Sequence, residues 1–434
     1  MTVQEKNFWL STVEMPRIEP RPLPEKVDVA ILGAGFTGLS AARTLAKHGA
    51  SVAVLEAQTV GWGASSRNGG MVLTGLKLGA GDLISRYGKE TTRRMFAASL
   101  EAISTVEQII ADERIDCDFC RCGHLEVANK PSHFKGFERS AETMERELGH
   151  SVQIVPREDL LTEIGSKAYF GGLVDEMSAG ANPARYVAGL AKAALRAGAD
   201  IQEQTGVEKI QRATSNGAPG WRLFTKRGAL WARDVLIATS GYTGDSTPSL
   251  RRKLIPIGSY IIVTEVLPAG IAAGVSPRNR MIYNSLYYTH YYRLTPDRRM
   301  LFGGRAAFFP ENENTIRESQ AILRRDMTEI FPQLAETKIE YVWGGTLDFA
   351  FDMMPHVGKM NGLFYSVGYA GHGVAMATLL GHKMAERIAS GSAAPEANPF
   401  EEIPFKGAPL GLYRRKPWFL PLAGLWFRFL DIIS

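Results

Sequence analysis

Three glycines near the start of the chain, Gly33, Gly35 and Gly38, follow the spacing G-x-G-x-x-G. In this spacing the first glycine permits a tight turn, the second lets the backbone approach a pyrophosphate, and the third lets a helix pack closely on a strand. Farther along, the carboxylate of Glu56 can accept hydrogen bonds from ribose hydroxyls. These residues predict a dinucleotide site, although the glycines alone would be weak support because glycines also cluster in ordinary turns.

The elements around these residues have the order that such a site needs. Residues 27–32 form an apolar run of strand length that leads into the first glycine, and residues 37–48 predict a helix. The first backbone N–H groups of that helix, around Phe36 and Thr37, and its positive dipole end favour a phosphate. A second strand, predicted at residues 51–55, ends at the acid, and a carboxylate there disfavours a 2′-phosphate.

A second stretch favours FAD over NAD. Residues 61–70 read GWGASSRNGG, a run of small and hydrogen-bonding residues with a paired glycine and an arginine. Such a loop suits contact with a phosphate and a flavin ring, whereas a plain NAD domain has no need of it. The candidate FAD contacts in this loop are Ser65, Ser66, Arg67, Asn68, Gly69 and Gly70.

With this loop the chain resembles the FAD-dependent D-amino acid oxidase (DAO) family and, within it, the branch of γ-glutamylputrescine oxidase, glycine oxidase-like and related amine oxidoreductases. A distant segment at residues 368–374, GYAGHGV, is similar to the family's G-[FY]-[SA]-G-H-G motif, whose backbone lies near the flavin ring and opens a helix toward it. The resemblance covers about residues 27–391. It adds to the FAD contacts Gly371, His372, Gly373 and Val374, the backbone of Val207 at the adenine, and the turn at Gly241.

The resemblance implies an α/β fold with two domains: a glutathione-reductase-like Rossmann domain for FAD and a substrate domain built on an antiparallel sheet. The length of 434 residues fits this expectation, because a single compact core seldom grows so large. The expected division is an extended arm at 1–26, FAD-domain segments at 27–115, 165–250 and 344–394, substrate-domain segments at 116–164 and 251–343, and a linker with an apolar tail at 395–434.

The N-terminal arm carries four prolines, at positions 16, 20, 22 and 24. They predict an extended segment that contains no helix. Two interpretations stay open for it. Either the arm is exposed and mobile, or Phe8 and Trp9 dock in a pocket of this chain or of a second subunit.

The resemblance also implies a reaction, in which a hydride passes from the carbon next to an amine nitrogen to flavin N5 and water hydrolyses the resulting imine. Oxygen and a quinone or other electron carrier both stay open as electron acceptor, since residues 254–264 offer no lysine for oxygen activation and Lys253 is only a near miss. The FAD is expected to be non-covalent, because residues 343–371 contain no cysteine and residues 61–71 no histidine. The alternatives from other classes are an FAD domain serving RNA modification and a non-catalytic FAD-binding module.

Tyrosines at positions 283, 287, 288, 291 and 292 crowd one part of the predicted substrate sheet. A strand alternates its side chains, so Tyr291 and Arg293 share one face while His290 and Tyr292 share the other. The sequence does not say which face meets the flavin, and ordinary sheet packing is the plain alternative for each aromatic residue. The substrate-side candidates are Tyr292, Arg293, His290 and Arg305.

Position 375 separates two classes of substrate. In the sarcosine-oxidase branch the C-terminal motif reads G-H-G-F-K and its lysine binds the substrate carboxylate, whereas this chain has Ala375 at that place. A buried carboxylate without a cation would be costly, so an amine such as a γ-glutamylated polyamine is favoured, and aromatic faces suit its cationic group. A small amino acid, of the glycine, sarcosine, proline or D-amino acid type, stays open because Arg293 or Arg305 could supply the charge.

Three cysteines, Cys117, Cys120 and Cys122, lie close to His124 and raise the question of zinc. On a strand, the last two cysteines and the histidine would share a face at intervals of ~6.6 Å, which is too far apart for one tetrahedral ion. We therefore expect no metal and three buried, reduced thiols.

The composition, 45% hydrophobic and 22% charged, is that of an ordinary globular enzyme. A net charge of +5 with scattered basic residues argues against a nucleic-acid partner. Residues 1–26 lack the apolar run of a secretory signal, so a cytoplasmic protein is expected. The apolar tail is too short before Arg428 to span a membrane. It is expected to dock on this chain or on a second subunit of a homo-oligomer, with peripheral contact to the inner face of the membrane as the alternative.

Overall fold

The computed structural model describes residues 3–304, 315–391, 398–408, 413 and 418–433. The strands are β1 (Lys26–Leu32), β2 (Val52–Leu55), β3 (Met71–Val72), β4 (His124–Val127), β5 (Gln153–Pro156), β6 (Gly171–Asp175), β7 (Ala179–Gly180), β8 (Asp200–Gln202), β9 (Val207–Ser215), β10 (Ala218–Thr225), β11 (Gly228–Ile237), β12 (Leu254–Thr264), β13 (Met281–Asn284), β14 (His290–Leu294), β15 (Met300–Gly304), β16 (Ile339–Ala350), β17 (His356–Met360) and β18 (Leu363–Val367). The α-helices are α1 (Phe36–Lys47), α2 (Ala64–Arg67), α3 (Ala80–Tyr87), α4 (Lys89–Glu113), α5 (Pro131–Thr143), α6 (Pro183–Arg196), α7 (Pro248–Arg251), α8 (Ala269–Val275), α9 (Thr315–Ile330), α10 (Gly373–Ser390) and α11 (Leu420–Ile433).

The first sheet is the scaffold of the predicted dinucleotide site. Its strands follow the order β17-β18-β11-β1-β2-β8, and β9 and β10 extend it beside β11. β1 lies in the middle and runs parallel to both β11 and β2. Val29 and Ile31 join the core of helices α1, α6 and α10, while Ala30 and Leu32 join the core on the β10 side. Burial on both faces explains why the whole strand is apolar.

The second sheet has the order β16-β12-β15-β14-β13-β4-β6-β5. Its neighbours are antiparallel except β13 and β4, which run parallel. The expectation of an antiparallel sheet is therefore correct apart from this pair, where a strand from an early segment is placed beside a much later one. One face of the sheet packs Tyr292 and Phe302 against Leu323 and Met327 of α9. The opposite face looks toward the first sheet, as the site contacts below show.

Two strands pair across the expected segment edges. β6 lies inside 165–250, which was assigned to the FAD domain, yet it pairs with β4 and β5 of the substrate sheet. β16 continues as far as Ala350 along β12, beyond the expected edge at 343. The division of the chain into FAD-domain and substrate-domain segments therefore remains a proposal.

The N-terminal arm is not extended throughout. Phe8–Thr12 forms one 3-10 turn, and Phe8 and Trp9 are buried. The prediction of an arm without helix is wrong here because the prolines begin only at Pro16, after this turn. Of the two interpretations, docking of the aromatic residues within this chain is the one found.

The cysteines differ in burial. Cys117 is buried, Cys122 is half-buried and Cys120 is exposed, so the expectation of three buried thiols is wrong for Cys120. The reason is local: β4 begins only at His124, and Cys120 lies in a loop whose backbone bridges to Gly180. Within the described ranges, no group of three His, Cys, Asp or Glu side chains is arranged to hold a metal ion.

The C-terminal helix α11 docks on the substrate domain. Asp431 accepts hydrogen bonds from the backbone N–H groups of Tyr287 and Tyr288, at 2.8 and 3.0 Å, and Phe427 stacks on the Tyr287 ring. Among the residues that the structure describes, none of the helices has both the length and the apolar character needed to cross a membrane.

Candidate active site

The glycine turn joins β1 to α1 at the carboxyl end of the first sheet. Gly33 has φ +103°, and a Cβ there would lie 2.7 Å from the Ala238 carbonyl oxygen. A Cβ at Gly38 would lie 2.0 Å from the Gly33 oxygen, and one at Gly35 would lie 2.8 Å from the Ser65 Oγ. Any side chain would push these elements apart, so the turn has the close packing that a dinucleotide cradle needs.

The start of α1 connects the cradle to two distant segments. The Phe36 N–H donates to the Ser65 Oγ at 2.9 Å, which ties the cradle to the loop at 61–70. The Thr37 hydroxyl is hydrogen-bonded to the Tyr369 hydroxyl at 2.7 Å. The predicted helix is thereby confirmed, and its N-terminus is the meeting point of the two glycine-containing motifs.

Glu56 lies where a ribose would be recognised. Its carboxylate accepts hydrogen bonds from the N–H groups of Ala34 and Gln58, both at 2.8 Å. Burial, the largest influence, raises the pKa of Glu56. The Thr205 N–H donates to the Glu56 carbonyl at 2.7 Å, so Val207, the first residue of β9, lies beside the same end of the site. The adenine role of the Val207 backbone stays a prediction.

The loop at 61–70, called the flavin loop below, folds back on itself. It contains the short helix α2, and Ser66 is fully buried. Asn68 Oδ1 accepts from the Gly70 N–H at 2.8 Å, and Asn68 Nδ2 donates to the Ala64 carbonyl at 3.0 Å. A Cβ on Gly69 would lie 3.1 Å from the Tyr291 ring, so the loop lies directly against the substrate sheet.

Arg67 joins the flavin loop to the substrate sheet. Its Nη1 donates to the Gly344 carbonyl at 2.9 Å and its Nε donates to the Trp62 carbonyl at 2.7 Å. In return, the Trp343 indole N–H donates to the Arg67 carbonyl at 3.0 Å. These contacts make Arg67 a positioning residue of the loop.

The C-terminal motif reaches the same place through α10. Gly371 has φ +93°, His372 precedes the helix, Gly373 is its first residue, and Val374 is buried. A Cβ on Gly381 would lie 2.3 Å from the Thr37 carbonyl oxygen, so α10 packs closely on α1.

Asp348 positions this motif, and sequence reasoning did not find it. Its buried carboxylate accepts from the Gly368 N–H at 2.5 Å, and its carbonyl accepts from the Ala370 N–H at 3.0 Å. Burial raises the pKa of Asp348. Gly241 lies in a 3-10 turn close to the same strand, where a Cβ would be 3.0 Å from the Leu347 carbonyl oxygen.

Known proteins show the same organisation. The DAO family, described as FAD dependent oxidoreductase, matches residues 28–387. The chain belongs to this family. This FAD-dependent oxidoreductase is 33% identical to a probable oxidoreductase OrdL of Haemophilus influenzae over 84% of the chain and 83% of the relative. It is 30% identical to the gamma-glutamylputrescine oxidoreductase of Escherichia coli over 90% of each.

The fold has solved counterparts. The crystal structure of glycine oxidase from Geobacillus kaustophilus superimposes with a TM-score of 0.73 at 20% identity, covering 88% of this chain and all of the other. The L-proline dehydrogenase of P. horikoshii gives a TM-score of 0.67 at 20% identity over 85% of the chain and 95% of the other. These similarities confirm the predicted two-domain α/β fold.

The residues fit FAD. The glycine turn would receive the pyrophosphate, Glu56 the ribose, and the flavin loop with the α10 N-terminus would enclose the ring. Burial, with a contribution from the Lys77 charge, lowers the pKa of His372 to about 3, so its imidazole is neutral at neutral pH. The site therefore places an uncharged imidazole at the head of α10, and its buried Nδ1 has no hydrogen-bond partner among the described residues.

The two faces of β14 have different surroundings. Tyr291 contacts the flavin loop, whereas Tyr292 is fully buried on the opposite face, where its hydroxyl bonds to the Tyr169 hydroxyl at 2.7 Å. His290 also lies on the far side and bonds to Asp326 of α9 at 2.9 Å. Both side chains lie on the α9 side of the sheet, away from the flavin loop, so this placement does not support Tyr292 and His290 as substrate contacts, and those roles stay predictions.

Arg293 lies on the side of the sheet that faces the flavin loop, but its guanidinium already donates hydrogen bonds to backbone carbonyls. Its Nη1 donates to the carbonyls of Gly70 and Ala181, both at 3.1 Å, and its Nε donates to the Leu294 carbonyl. Burial lowers the pKa of Arg293. Its position supports a role in holding the flavin loop. Arg305, the remaining substrate-side candidate, lies outside the described residues.

Sequence reasoning did not identify two residues of β4, Glu126 and His124, as site residues. Both lie on the side of the sheet that faces the flavin loop. Glu126 is half-buried and burial raises its pKa to about 7. His124 bonds to the Ser178 hydroxyl at 2.8 Å and to the Tyr283 hydroxyl at 3.2 Å, and burial lowers its pKa to about 4. The available signal was an acid two positions after a histidine inside an otherwise apolar strand, GHLEV.

Proposed function

We propose that this FAD-dependent oxidoreductase oxidises the C–N bond of a primary or secondary amine of the γ-glutamylputrescine type. The product would be an imine, which water hydrolyses to a carbonyl compound and ammonia or an amine. The single observation that carries the proposal is Ala375, 2% exposed in the first turn of α10 beside the flavin-facing motif. An α-carboxylate at that turn would need a cation, and a methyl group cannot offset its desolvation.

The chain contributes orientation, desolvation and electrostatics, whereas FAD, when bound, supplies the acceptor for a hydride. Tyr283 and Tyr291 stand on the flavin-facing side of adjacent strands and offer aromatic walls to an alkyl amine. The reacting nitrogen must be uncharged before a hydride can leave its neighbouring carbon.

Oxidation of a small amino acid is the competing function. It would require a cation for the substrate carboxylate, and the flavin-facing Arg293 already donates to three backbone carbonyls. The likeness to glycine oxidase supports the fold and not this substrate. We therefore keep amino acids as the contrasting outcome of the experiment.

The experiment mixes the FAD-loaded enzyme anaerobically with γ-glutamylputrescine, putrescine, sarcosine, glycine, proline and D-alanine, and follows the flavin absorbance. The proposal expects the amines without an α-carboxylate next to the reacting carbon to bleach the flavin fastest. The rate should rise with pH until the pKa of the bound amine is passed. Faster bleaching by sarcosine or glycine than by every such amine would refute the Ala375 argument.

The reduced flavin needs an electron acceptor, and oxygen and a quinone-type carrier are the two candidates. Lys253 precedes β12 and donates to the Phe405 carbonyl, and burial lowers its pKa. This engagement gives Lys253 a structural role at the edge of the sheet. Mixing the reduced enzyme with oxygen or with a soluble quinone, and timing the return of flavin absorbance, separates the two acceptors.

We also propose that the outer face of α11 contacts the inner, cytoplasmic surface of a membrane. The inner face of this helix is used by docking on the substrate domain, where Tyr288 donates to the Gly424 carbonyl at 3.0 Å. The exposed large apolar side chains of this segment are Trp418, Leu422, Leu425, Trp426, Phe429 and Ile432. The sequence RRK at 414–416 precedes them, and basic residues beside tryptophans suit an anionic lipid surface.

Vesicle sedimentation tests this contact. Wild type should sediment with vesicles that contain anionic lipid and less with neutral ones, and Trp426→Glu should abolish sedimentation. Leu161→Glu is the matched control, because Leu161 is an exposed leucine outside α11. Absence of vesicle binding would contradict the proposal, as would a homo-oligomer in solution that Trp426→Glu dissociates, since a second copy would then cover the helix.

A further inference from the structure

Glu126 stands on the flavin-facing side of the substrate sheet. In the register of the strands it is paired with Tyr283 of β13, which is paired with Tyr291 of β14. Side chains that lie opposite one another on neighbouring strands project from the same face. Tyr291 contacts the flavin loop at Gly69, and its ring lies over Gly303 of β15, so the three residues occupy a row of positions that leads from the flavin loop to Glu126.

The surroundings of Glu126 are those of a binding group. In the described part of the chain, no hydrogen bond or ion pair reaches its carboxylate. Burial raises its pKa to about 7, and the charge of Lys77, which follows the flavin loop, opposes this rise. On the sheet side it faces Tyr283, which bonds to His124. A half-buried carboxylate that no protein donor reaches is costly to keep charged, and a bound cationic ligand would offset that cost.

The position of Glu126 excludes the reacting end of the substrate. Neighbouring strands lie ~4.8 Å apart, so β4 is about 10 Å from β14, the strand that touches the flavin loop. The nitrogen next to the oxidised carbon must lie beside the flavin ring and must be neutral. The carboxylate therefore meets a more distant part of the ligand.

We propose that Glu126 binds a second, cationic nitrogen of the substrate, at the end remote from the C–N bond that is oxidised. This inference rests on the proposed amine oxidation and names the feature of the amine that the site reads. The tyrosines of the row would line the alkyl chain between the two nitrogens. Because Lys77 brings a positive charge to the same region, a headgroup with both an ammonium and a carboxylate is matched better than a bare second amine.

The experiment compares two substrates that differ only at the remote end. γ-Glutamylputrescine carries an α-ammonium group, and N-glutarylputrescine has the same length and carboxylate without it. For wild type we expect a KM lower by about tenfold or more for γ-glutamylputrescine, the size of one charge-assisted hydrogen bond. In Glu126→Gln this ratio should fall to about one with kcat nearly unchanged, whereas Glu138→Gln, an exposed glutamate of α5, should keep it.

A second measurement needs no variant. The KM values of wild type for the two substrates are measured at several pH values below and above pH 7. Protonation of the primary amine, which both substrates share, changes both KM values alike and cancels in their ratio. Besides Glu126, the titratable groups that face this region are Lys77, Tyr283 and His124, and the pKa of His124 lies near 4, below this range. The discrimination should be present above pH 7, where the carboxylate is ionised, and should decline below it.

Each result decides the inference. A preserved KM ratio in Glu126→Gln, or a wild-type ratio that does not change through pH 7, overturns the assigned role while amine oxidation stands. Equal loss of both substrates in a Glu126→Gln enzyme that retains its FAD also overturns it. If wild type is reduced by sarcosine or glycine and by neither putrescine derivative, the proposed function itself fails.

Discussion

At the scale of single residues, Glu56, the predicted ribose contact, is held in place by the fold itself. Its carboxylate is held at the end of β2 by the N–H groups of Ala34 and Gln58. Burial raises the pKa of Glu56, which means that the ionised carboxylate is destabilised. Hydrogen bonds from these two donors and from a ribose would offset this cost.

Replacing Glu56 by Gln should weaken FAD retention. The amide keeps the shape but substitutes an N–H donor for one acceptor oxygen, which removes charge-assisted bonds worth about 1.5 to 3 kcal/mol. We expect the dissociation constant for FAD to rise by about tenfold or more, measured by recovery of flavin fluorescence on dialysis. Glu208→Gln on the exposed side of β9 is the control, and equal FAD occupancy in both variants would exclude the role.

Residue-level prediction depends on spacing. The glycines, Glu56 and the flavin loop were proposed as FAD contacts because each role needs a residue type at a fixed offset. The period of two divided Tyr291 and Arg293 correctly from His290 and Tyr292. It could not say which side meets the flavin, because both faces of the sheet are covered and both therefore carry apolar and aromatic side chains.

At the scale of elements, the N-terminal 3-10 turn acts as a clamp on the flavin loop. The Trp9 indole N–H donates to the Asn68 carbonyl at 2.9 Å, and Asn7 Nδ2 donates to the Ser66 carbonyl at 2.8 Å. Phe8 and Trp9 also join a core with Trp343 and Leu301 of the substrate sheet. The arm thus connects the loop to the substrate sheet.

Trp9→Phe should loosen this clamp. The ring is largely kept, but the hydrogen bond to Asn68 is lost and its carbonyl is left without that donor, a cost of about 1 to 3 kcal/mol. We expect a lower Tm in the FAD-loaded protein and faster FAD release. Trp418→Phe alters an exposed tryptophan near α11 and should change neither. Identical FAD release from both variants would show that the clamp is not needed.

The predictability of elements follows the range of their contacts. β1, α1 and β2 were predicted to within a residue or two because their apolar periods are local. The parallel pairing of β4 with β13 and the place of β6 in the substrate sheet depend on contacts between remote segments. Pairings of this kind produce no local period in the sequence, so the sequence could not predict which sheet β6 joins.

At the scale of the whole molecule, the flavin loop connects the first sheet to the second. Arg67 reaches Gly344, Arg293 reaches Gly70, and the Trp343 indole reaches the Arg67 carbonyl. The loop is thereby fixed to the substrate sheet as well as to the glycine turn, where the Phe36 N–H donates to the Ser65 Oγ.

FAD that is held only by non-covalent contacts should leave the denatured chain. We predict that acid precipitation releases all yellow colour, because residues 343–371 contain no cysteine and the flavin loop contains no histidine. The absorbance of pellet and supernatant measures this, with free FAD added to a denatured bovine albumin sample as control for adsorption. Flavin that stays in the washed pellet would show a covalent bond.

The central claim, that the site oxidises an amine and not an α-amino acid, is tested most directly by one anaerobic turnover with γ-glutamylputrescine. This molecule offers both kinds of C–N bond, one at its primary amine and one at its glutamyl α-carbon. The account predicts an aldehyde and ammonia from the amine end, with the α-amino group intact. A 2-oxo acid formed at the glutamyl end would contradict it.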